Sequence, residues 1–335
     1  MDTQTLLLPL PDDFHLHLRQ DSAMAGYARN TANQFGRVLV MPNTQPPLTT
    51  PNQLRDYQHQ ILSAAPGLEL LMTFKLNATY SAADLQNLRA VGAVAGKYYP
   101  AGVTTNSQDG IGDLEAVLPV IAEMERQDFV LSIHGEEPGV FCLDREEAFL
   151  KRVEFLVSHF PRLRIVLEHL STRAAVQAVQ AWPTTVAATL TVHHLLLTLD
   201  DVIGDGFMPH HFCKPLVKRP DDREALRQAA FSGNPKFFFG SDSAPHTRGK
   251  KEGPCGAAGI YSAPVAIPLL LQIFAEHQER LPNFIAGFGA DFYKLPRTSR
   301  TLRLVKEPWV VPAEVNGVVP LAANQTLEWK VAGIE

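Results

Sequence analysis

The chain has 335 residues, 45% of them hydrophobic, which suits either two ordinary domains or one α/β barrel with some extra chain. This composition excludes disordered and fibrous proteins. The 30 Lys and Arg against 35 Asp and Glu leave a formal net charge of −5, so no basic surplus indicates a nucleic-acid or anionic-lipid partner. We expect a mildly acidic globular protein.

The cysteines and the amino terminus bear on the cellular compartment. Cys142, Cys213 and Cys255 are widely spaced and form no C-x-x-C pair, which is typical of a reducing cytosol. The first residues carry no basic segment, and their short apolar run is broken by Pro9 and Pro11, so no secretory signal is visible. No segment approaches the roughly 18 apolar residues that a membrane span needs. The sequence therefore predicts a cytoplasmic protein without a membrane partner.

Short apolar runs alternate along the chain with longer segments of helical period. Segments 111–127 and 145–160, for example, repeat apolar residues at intervals of three and four and are predicted to be helices. In chain order, the predicted strands are 5–10 running on toward His17, 37–43, 68–77, 91–99, 129–134, 163–169, 184–193 and 236–242.

The strand pattern predicts the fold class. Several strands are apolar almost throughout, as a parallel sheet covered on both faces requires. Eight β-then-α units favour a (β/α)8 TIM barrel over an open sheet, which more often has about five or six strands. The Pro- and Gly-rich segments 41–51, 99–112 and 246–259 each follow a predicted strand and are predicted to be loops at the barrel mouth.

No strong linker divides the chain. We predict a barrel domain over residues 1–295 and a C-terminal extension over residues 296–335 that packs on the barrel. The extension carries short β-like pieces, at 309–311 and 317–319, without a helical partner.

Side chains that can bind metals or substrates stand where the predicted strands end. Because the carboxyl ends of barrel strands converge on one face, such residues can meet although they are far apart in sequence. The residues at these ends are His15, His17, Asn43, Lys97, His134, His169, His193, His194 and Asp242.

The histidines at these ends indicate a metal site. His15 and His17 are two residues apart on an extended segment, so both imidazoles point the same way and can reach one ion, although such a pair can also be structural. His134, His169 and Asp242 at other strand ends favour the metal interpretation. Four histidines and one carboxylate are more than one tetrahedral zinc can use. The set therefore predicts two metal ions.

Lys97 admits more than one interpretation. An ammonium has no lone pair and cannot bind a metal. It can be a buried lysine paired with a carboxylate or one that anchors a substrate anion. Alternatively, its neutral amine reacts with carbon dioxide and becomes a carboxylate that bridges two metals. Spacing alone does not choose between these interpretations.

Five separated motifs carry a resemblance to a known family. The motifs are FHLHLR at 14–19, MPNT at 41–44, KYYPAGVTTN at 97–106, EHLST at 168–172 and GSDSAPH at 240–246. Together they resemble dihydroorotases of the amidohydrolase superfamily, in the compact bacterial form that lacks a large second domain. The match runs in order from about residue 10 to residue 292.

The resemblance implies two zinc ions per chain, bridged by N6-carboxylated Lys97. His15, His17 and Asp242 would hold the first zinc, and His134 and His169 the second. It also implies a homodimer.

The resemblance further implies the reaction and the substrate contacts. The substrate would be N-carbamoyl-L-aspartate, cyclised reversibly to L-dihydroorotate, with Asp242 as the catalytic acid and base. Arg19, Asn43 and His246 would bind the free carboxylate of the substrate. Backbone groups of Lys214 and Ala258 would contact its ring, and His134 would also contact the substrate. Two positions depart from the family pattern: Lys214 stands where an apolar residue is usual, and His193 where glutamine is usual.

Thr104 and Thr105 lie in a loop of small and polar residues after the fourth predicted strand. Composition alone favours an ordinary exposed loop. The resemblance implies instead a lid whose hydroxyl groups reach the bound acid and exclude water.

Two alternatives in function remain open. Another cyclic amidohydrolase would act on hydantoins, dihydropyrimidines or allantoin, but such enzymes build a β-sandwich from long segments at both ends, and only 14 residues precede His15 here. A catalytically inactive barrel would serve as a scaffold, but such proteins tend to lose ligands, and every expected ligand is present. We expect the remaining histidines, His59, His159, His210, His211 and His277, to be surface or packing residues.

Overall fold

The computed structural model describes residues 4–103 and 110–335. Within these residues, eight parallel strands form one sheet in which each strand pairs with its neighbours in sequence. The predicted TIM barrel is confirmed. The barrel strands are β2 (Asp12–Leu16), β3 (Arg37–Val40), β4 (Glu69–Lys75), β5 (Ala93–Tyr98), β6 (Val130–Ile133), β7 (Arg164–Leu167), β8 (Val186–Leu190) and β9 (Phe237–Phe239), and β1 (Thr5–Pro9) precedes them.

The barrel is closed where its last strand meets its first. The amide of Asp242 donates to the carbonyl of His15 at 2.8 Å, and the amide of His17 donates to the carbonyl of Ser243 at 3.0 Å. The Asp13 carboxylate strengthens this seam, because one oxygen accepts from the amides of His15 and Ser241. The seam therefore brings residues more than 200 positions apart into one layer.

Helices cover the outside of the barrel. They begin at residues that favour helix starts, as at Thr50, which forms a capping box with Gln53, and at Thr172, whose side chain accepts from the amide of Ala175. The α-helices are α1 (Met24–Ala32), α2 (Pro51–Ala64), α3 (Ala82–Ala90), α4 (Leu118–Arg126), α5 (Arg145–His159), α6 (Arg173–Ala181), α7 (Val192–Leu196), α8 (Asp200–Ile203), α9 (Pro220–Phe231), α10 (Arg248–Lys251), α11 (Ala266–Ile273), α12 (Leu281–Ala286) and α13 (Phe288–Phe292). Short 3-10 helices span Glu115–Val117, Pro209–His211 and Gln278–Arg280.

A small apolar cluster fills the inside of the barrel. It is contributed by alternating residues of the strands, among them Ala95, Val130, Val166 and Ala187. Side chains two residues further along a strand point the same way and lie one layer higher. The interior cluster is therefore the floor on which a polar layer rests.

The C-terminal extension forms a second, antiparallel sheet. Its strands are β10 (Thr301–Val310) and β11 (Thr326–Ile334), and β1 pairs with β10 with Thr5 opposite Val305. Of the short pieces expected at 309–311 and 317–319, the first lies mostly in the longer strand β10, and the second lies between the two strands, with Val318 in an isolated bridge to Val315. The division of the chain at residues 295 and 296 stays a prediction.

All the predicted strands are longer than the observed ones, and the differences in the first and the seventh are the most consequential. The first predicted strand, from 5 toward 17, breaks at residues 10 and 11, so that β1 joins the second sheet and only β2 enters the barrel. The seventh was predicted to run to His193, but β8 ends at Leu190, and Thr191 caps α7 by accepting from the amide of His194. The predicted helix over 111–127 is shorter, since α4 begins at Leu118 after a 3-10 turn.

In the part of the chain that the structure describes, no helix is both long enough and apolar enough to cross a lipid bilayer.

Replacing Gly289 with alanine tests the packing below the site. An added Cβ would lie 2.2 Å from the Phe14 ring, which stacks on Tyr293 with a centroid distance of 4.9 Å. Although alanine normally favours a helix over glycine, we expect Gly289→Ala to lower the free energy of unfolding by about 1–3 kcal/mol because of this overlap.

Denaturant unfolding measures the effect. Gly67→Ala is the matched control, since nothing lies within 4 Å of its added Cβ. A Gly289→Ala protein as stable as the control would contradict the packing described here.

Candidate active site

A cavity at the carboxyl ends of the barrel strands collects most of the predicted site residues. All six predicted metal-binding residues line it, together with Arg19, Asn43, Lys214 and Ala258. The residues that line it are His15, His17, Arg19, Asn43, Lys97, Tyr99, His134, His169, Lys214, Asp242, Ala244, Ala258 and Gly259.

His15, His17 and Asp242 form a compact triangle of ligand atoms. The two Nε2 atoms of the histidines are 3.3 Å apart, and Oδ1 of Asp242 lies 3.3 Å from that of His15 and 3.0 Å from that of His17. Ligands of one tetrahedral zinc, at bond lengths of about 2.0–2.1 Å, are separated by roughly 3.3 Å. The triangle therefore has the size of one face of a zinc coordination tetrahedron.

His134 and His169 form a second pair of ligand atoms. Nδ1 of His134 and Nε2 of His169 are 3.2 Å apart, again close to the separation of two ligands on one zinc. Burial lowers the pKa of His169 well below its usual value, and the neighbouring His134 adds to the effect. A neutral imidazole is the form that binds metal.

The Lys97 side chain enters the same cavity from β5. It is 5% exposed, and its Nζ has no hydrogen-bond partner among the described residues. Burial lowers the pKa of the Lys97 amine. Burying an amine without a hydrogen-bond partner costs free energy. The missing partner therefore indicates that Lys97 interacts with a ligand or carries a modification.

Glu168 orients His15 through a hydrogen bond. Its carboxylate accepts a hydrogen bond of 2.8 Å from Nδ1 of His15 and others from the hydroxyl groups of Ser132 and Thr189. Burial raises the pKa of Glu168, but the charges of His15 and Lys97 outweigh it and hold that pKa at about 2. An ionised Glu168 therefore fixes the tautomer of His15 so that its Nε2 faces the cavity.

Glu136 holds His134 in the same manner. Its Oε2 accepts from Nε2 of His134 at 2.7 Å, and both side chains are buried. This leaves Nδ1 of His134 to face His169. Carboxylate–histidine pairs of this kind orient metal ligands and raise their basicity.

Backbone strain coincides with the site. Arg19, His169 and Asp242 have φ angles of 61°, 41° and 43°, in the left-handed region that non-glycine residues rarely occupy. Each such residue costs on the order of 1–3 kcal/mol, and strain of this kind clusters at functional sites. The fold therefore tolerates unfavourable φ angles at three residues whose side chains line the cavity.

Arg19 and His246 form a basic corner beside the predicted metal residues. Arg19 donates from Nε to the carbonyl of Pro245 at 3.0 Å, and its Nη2 lies 2.9 Å from Nε2 of His246. His246 does not line the main cavity but an adjoining one, which shares Arg19 and Asn43 with it. The Asn43 side chain hydrogen-bonds His17. A guanidinium at this position can donate two hydrogen bonds to one carboxylate.

The remaining predicted residues have different positions. Lys214 and Ala258 line the main cavity, whereas Thr104 and Thr105 lie outside the described residues. His193 is fully buried behind the site. None of the histidines predicted to be ordinary is buried: His59, His159, His210, His211 and His277.

Sequence reasoning missed the residues behind the ligands. Glu136 and Tyr99 were assigned no role, and Glu168 was quoted only as part of a motif. Glu168, Ser132 and Thr189 could have been found from strand alternation, because each stands two residues beyond a member of the interior cluster. Glu136 follows its strand in a loop, where no such periodicity applies.

Replacing Glu168 with glutamine should weaken metal binding. Loss of the carboxylate removes the charge that orients His15, and outer groups of this kind typically contribute 10- to 100-fold in metal affinity. We expect Glu168→Gln to lower the affinity for zinc by roughly that factor in competition with a chelator. Glu147→Gln on the exposed face of α5 is the control. Equal zinc affinity in both variants would contradict the role of Glu168.

Comparisons with known proteins identify relatives along the whole chain. A curated dihydroorotase from Idiomarina loihiensis is 43% identical over 343 residues, covering 98% of this chain and 100% of that protein. The crystal structure of dihydroorotase from Saccharomyces cerevisiae in complex with 5-fluoroorotic acid is 35% identical, with a TM-score of 0.91, and covers 98% of this chain and 99% of that chain.

A more distant structure shares the fold alone. The L-hydantoinase (dihydropyrimidinase) from Arthrobacter aurescens has a TM-score of 0.83 at 16% identity, covering 99% of this chain and 84% of that chain. No family model matches the sequence.

Proposed function

This chain belongs to the dihydroorotase family, hydrolases that act on cyclic amides, and we propose that it interconverts N-carbamoyl-L-aspartate and L-dihydroorotate at a binuclear zinc centre. The proposed reaction is the third step of pyrimidine synthesis and releases water in the direction of ring closure. The observation that carries the proposal is a guanidinium, that of Arg19, lining the same cavity as two groups of metal-ligand atoms. A hydantoin or dihydropyrimidine ring has no carboxylate to occupy it.

The proposed metal centre follows the two groups of ligand atoms. His15, His17 and Asp242 would hold one zinc, and His134 and His169 the other. The separations of 3.0–3.3 Å between ligand atoms within each group support this assignment.

We propose that Lys97 is N6-carboxylated and joins the two groups. Its amine lines the cavity with both groups and lacks a hydrogen-bond partner among the described residues. Reaction of the neutral amine with carbon dioxide would give a carbamate, releasing a proton, and its carboxylate group could act as a ligand for zinc. The alternative of a lysine paired with a carboxylate finds no support, because no described carboxylate bonds its Nζ.

Asp242 would carry the proton. Zinc bound by these residues would lower the pKa of a water molecule toward about 7 and polarise the amide carbonyl. In ring opening, Asp242 accepts the proton of the attacking water and delivers it to the ring nitrogen as the amide bond breaks. In ring closure, Asp242 removes the proton from the attacking nitrogen and transfers it to the departing hydroxide, which leaves as water, so one carboxylate serves as base and acid.

Arg19, with Asn43 and His246, would bind the free carboxylate of the substrate. Arg19 is held by the carbonyl of Pro245 and by His246, and its side chain lines both cavities. His134 and the backbones of Lys214 and Ala258 would contact the rest of the molecule. The Lys214 ammonium adds positive charge near a dianionic substrate.

The activity test compares two rings that differ in one group. L-dihydroorotate and 5,6-dihydrouracil have the same ring, but only the first carries a carboxylate. We expect the zinc-loaded protein to open L-dihydroorotate, seen as a change in ring absorbance, with a much higher kcat/KM than 5,6-dihydrouracil, and to lose activity when a chelator removes the metal. Preference for 5,6-dihydrouracil would favour a hydantoinase-like enzyme, and absence of both metal and activity would favour a scaffold.

Removing the Arg19 guanidinium should weaken substrate binding without changing metal binding. A charge-assisted hydrogen bond contributes roughly 1.5–3 kcal/mol, so we expect Arg19→Met to raise KM for L-dihydroorotate about 10- to 100-fold at unchanged zinc content. Arg29→Met, at an exposed position on α1, is the matched control. A KM equal to that of the control would remove Arg19 from the carboxylate site.

We propose that Thr104 and Thr105 belong to a lid over the substrate. Replacing both with alanine should then lower kcat/KM, because their hydroxyl groups no longer reach the bound acid. Zinc content, measured by atomic absorption, should stay at two ions per chain. Kinetics equal to those of the unaltered protein would exclude the lid.

We also propose that the protein is a homodimer and acts in the cytoplasm, as the family resemblance implies. Sedimentation equilibrium would give the mass of the dimer, and fractionation of cells would give the compartment. We retain the division into a barrel domain, 1–295, and an extension, 296–335, as part of the same proposal.

A further inference from the structure

A second group of metal-binding side chains lies behind the active site. One nitrogen each of His193 and His194 and the sulfur of Cys213 lie within 4.8 Å of one another, and all three residues are buried. His193 and His194 belong to α7, and Cys213 lies in the loop after the 3-10 helix Pro209–His211. The proposed catalytic centre does not use any of them.

His193 is the member that the fold leaves incomplete. Its side chain is 0% exposed, and neither ring nitrogen has a hydrogen-bond partner among the described residues. A buried donor or acceptor without a partner costs about 1–3 kcal/mol. A glutamine, which we expect at this position from the family pattern, would not offer an imidazole to the cluster.

His194 and Cys213 converge on one backbone carbonyl. Nε2 of His194 and Sγ of Cys213 each lie 3.1 Å from the oxygen of Pro215. The Pro215 oxygen can only accept, so Nε2 carries the proton of the His194 ring and Nδ1 accepts from the Thr191 hydroxyl at 2.9 Å. Binding of an ion at Nε2 therefore requires the ring proton to move to Nδ1, which can donate to the same hydroxyl oxygen. The histidine pair itself is close, with ring centroids 4.7 Å apart.

We propose that His193, His194 and Cys213 form a third metal site, for a thiophilic d10 ion. Two imidazoles and one thiolate are a donor set for copper or zinc, and a backbone carbonyl such as that of Pro215 serves as a weak additional ligand in copper sites of this composition. On binding, the Cys213 sulfur loses its proton to solvent and bonds the ion. The site does not depend on the proposed catalytic activity.

Charge selects copper(I) as the better match. Lys251 is buried close to the cluster, where it donates to the carbonyls of Phe212 at 2.8 Å and Gly259 at 2.7 Å, and the charge of the buried Lys218 acts on His194. Copper(I) with one thiolate is neutral, whereas zinc with one thiolate leaves a positive charge buried near two ammonium groups. Three ligands also suffice for copper(I), while zinc requires four.

The test is an anaerobic titration of the zinc-loaded protein with copper(I) against a chromophoric copper(I) chelator. The parent protein for the test is Cys142→Ser/Cys255→Ser, which keeps Cys213 as its sole thiol. We expect it to take one copper(I) per chain from the chelator. His193→Gln and Cys213→Ser in the same background should take none at that chelator concentration. Uptake by His193→Gln equal to that of the parent would overturn the proposal.

X-ray absorption of the parent protein identifies the copper ligands directly, so the test does not depend on whether a variant folds. The copper edge of the loaded parent protein should show one sulfur and two imidazole nitrogens as neighbours. A copper shell without sulfur would overturn the proposal, as would a crystal structure with a water bonded to His193 in place of the ion. Zinc offered in the same titration should compete poorly, and zinc bound with one sulfur neighbour would support the site but assign it to zinc.

Discussion

The buried carboxylate of Glu168 is the interaction on which the site depends. It is buried and accepts hydrogen bonds from three side chains of other barrel strands: His15, Ser132 and Thr189. A carboxylate without partners would be very unfavourable at this depth, so the surrounding donors and the nearby Lys97 are required for it to stay ionised. In return, its charge fixes which nitrogen of His15 faces the cavity.

The barrel supplies the layers that make this interaction possible. An apolar floor of small and medium side chains, such as Ala95 and Val166, lies below, and Lys97 and Glu168 stand two residues further along the same strands. One step higher, His134 continues the alternation from Val130 and Ser132. A water-poor floor strengthens every electrostatic interaction above it, because the local dielectric is low. Loops then add Arg19 and His246 at the rim, where the proposed charged substrate would bind.

The sequence predicted the barrel and the gathering of ligand-type side chains at one of its faces, for a reason that lies in the fold. Parallel barrel strands must end on one face, so ligand-type residues at strand ends, such as His134 and His169, are brought together whatever their spacing in sequence. The proximity of His15 and His17 could also be predicted, because strand alternation directs the rings of residues i and i+2 to the same side. These features depend on local periodicity, which a sequence displays directly.

What could not be predicted depends on contacts between distant segments. β1 leaves the barrel because Thr5–Pro9 finds a partner in Thr301–Val305, nearly 300 residues away. The seventh strand ends early because Thr191 caps a helix, a choice between two local structures that apolar content does not decide. Glu136 acts through a single hydrogen bond from a loop. His246 was predicted as a carboxylate contact, and the structure places it beside Arg19 but in the adjoining cavity.

The central claim is that Lys97 is a carboxylated bridge between two zinc ions. The most direct measurement is a crystal structure of the zinc-loaded protein at a resolution that shows the Lys97 side chain, with zinc counted per chain in the same preparation. The account predicts two zinc ions and density for a carboxylate on Nζ that reaches both. An unmodified Lys97 beside a single zinc would contradict it and would require a mononuclear mechanism.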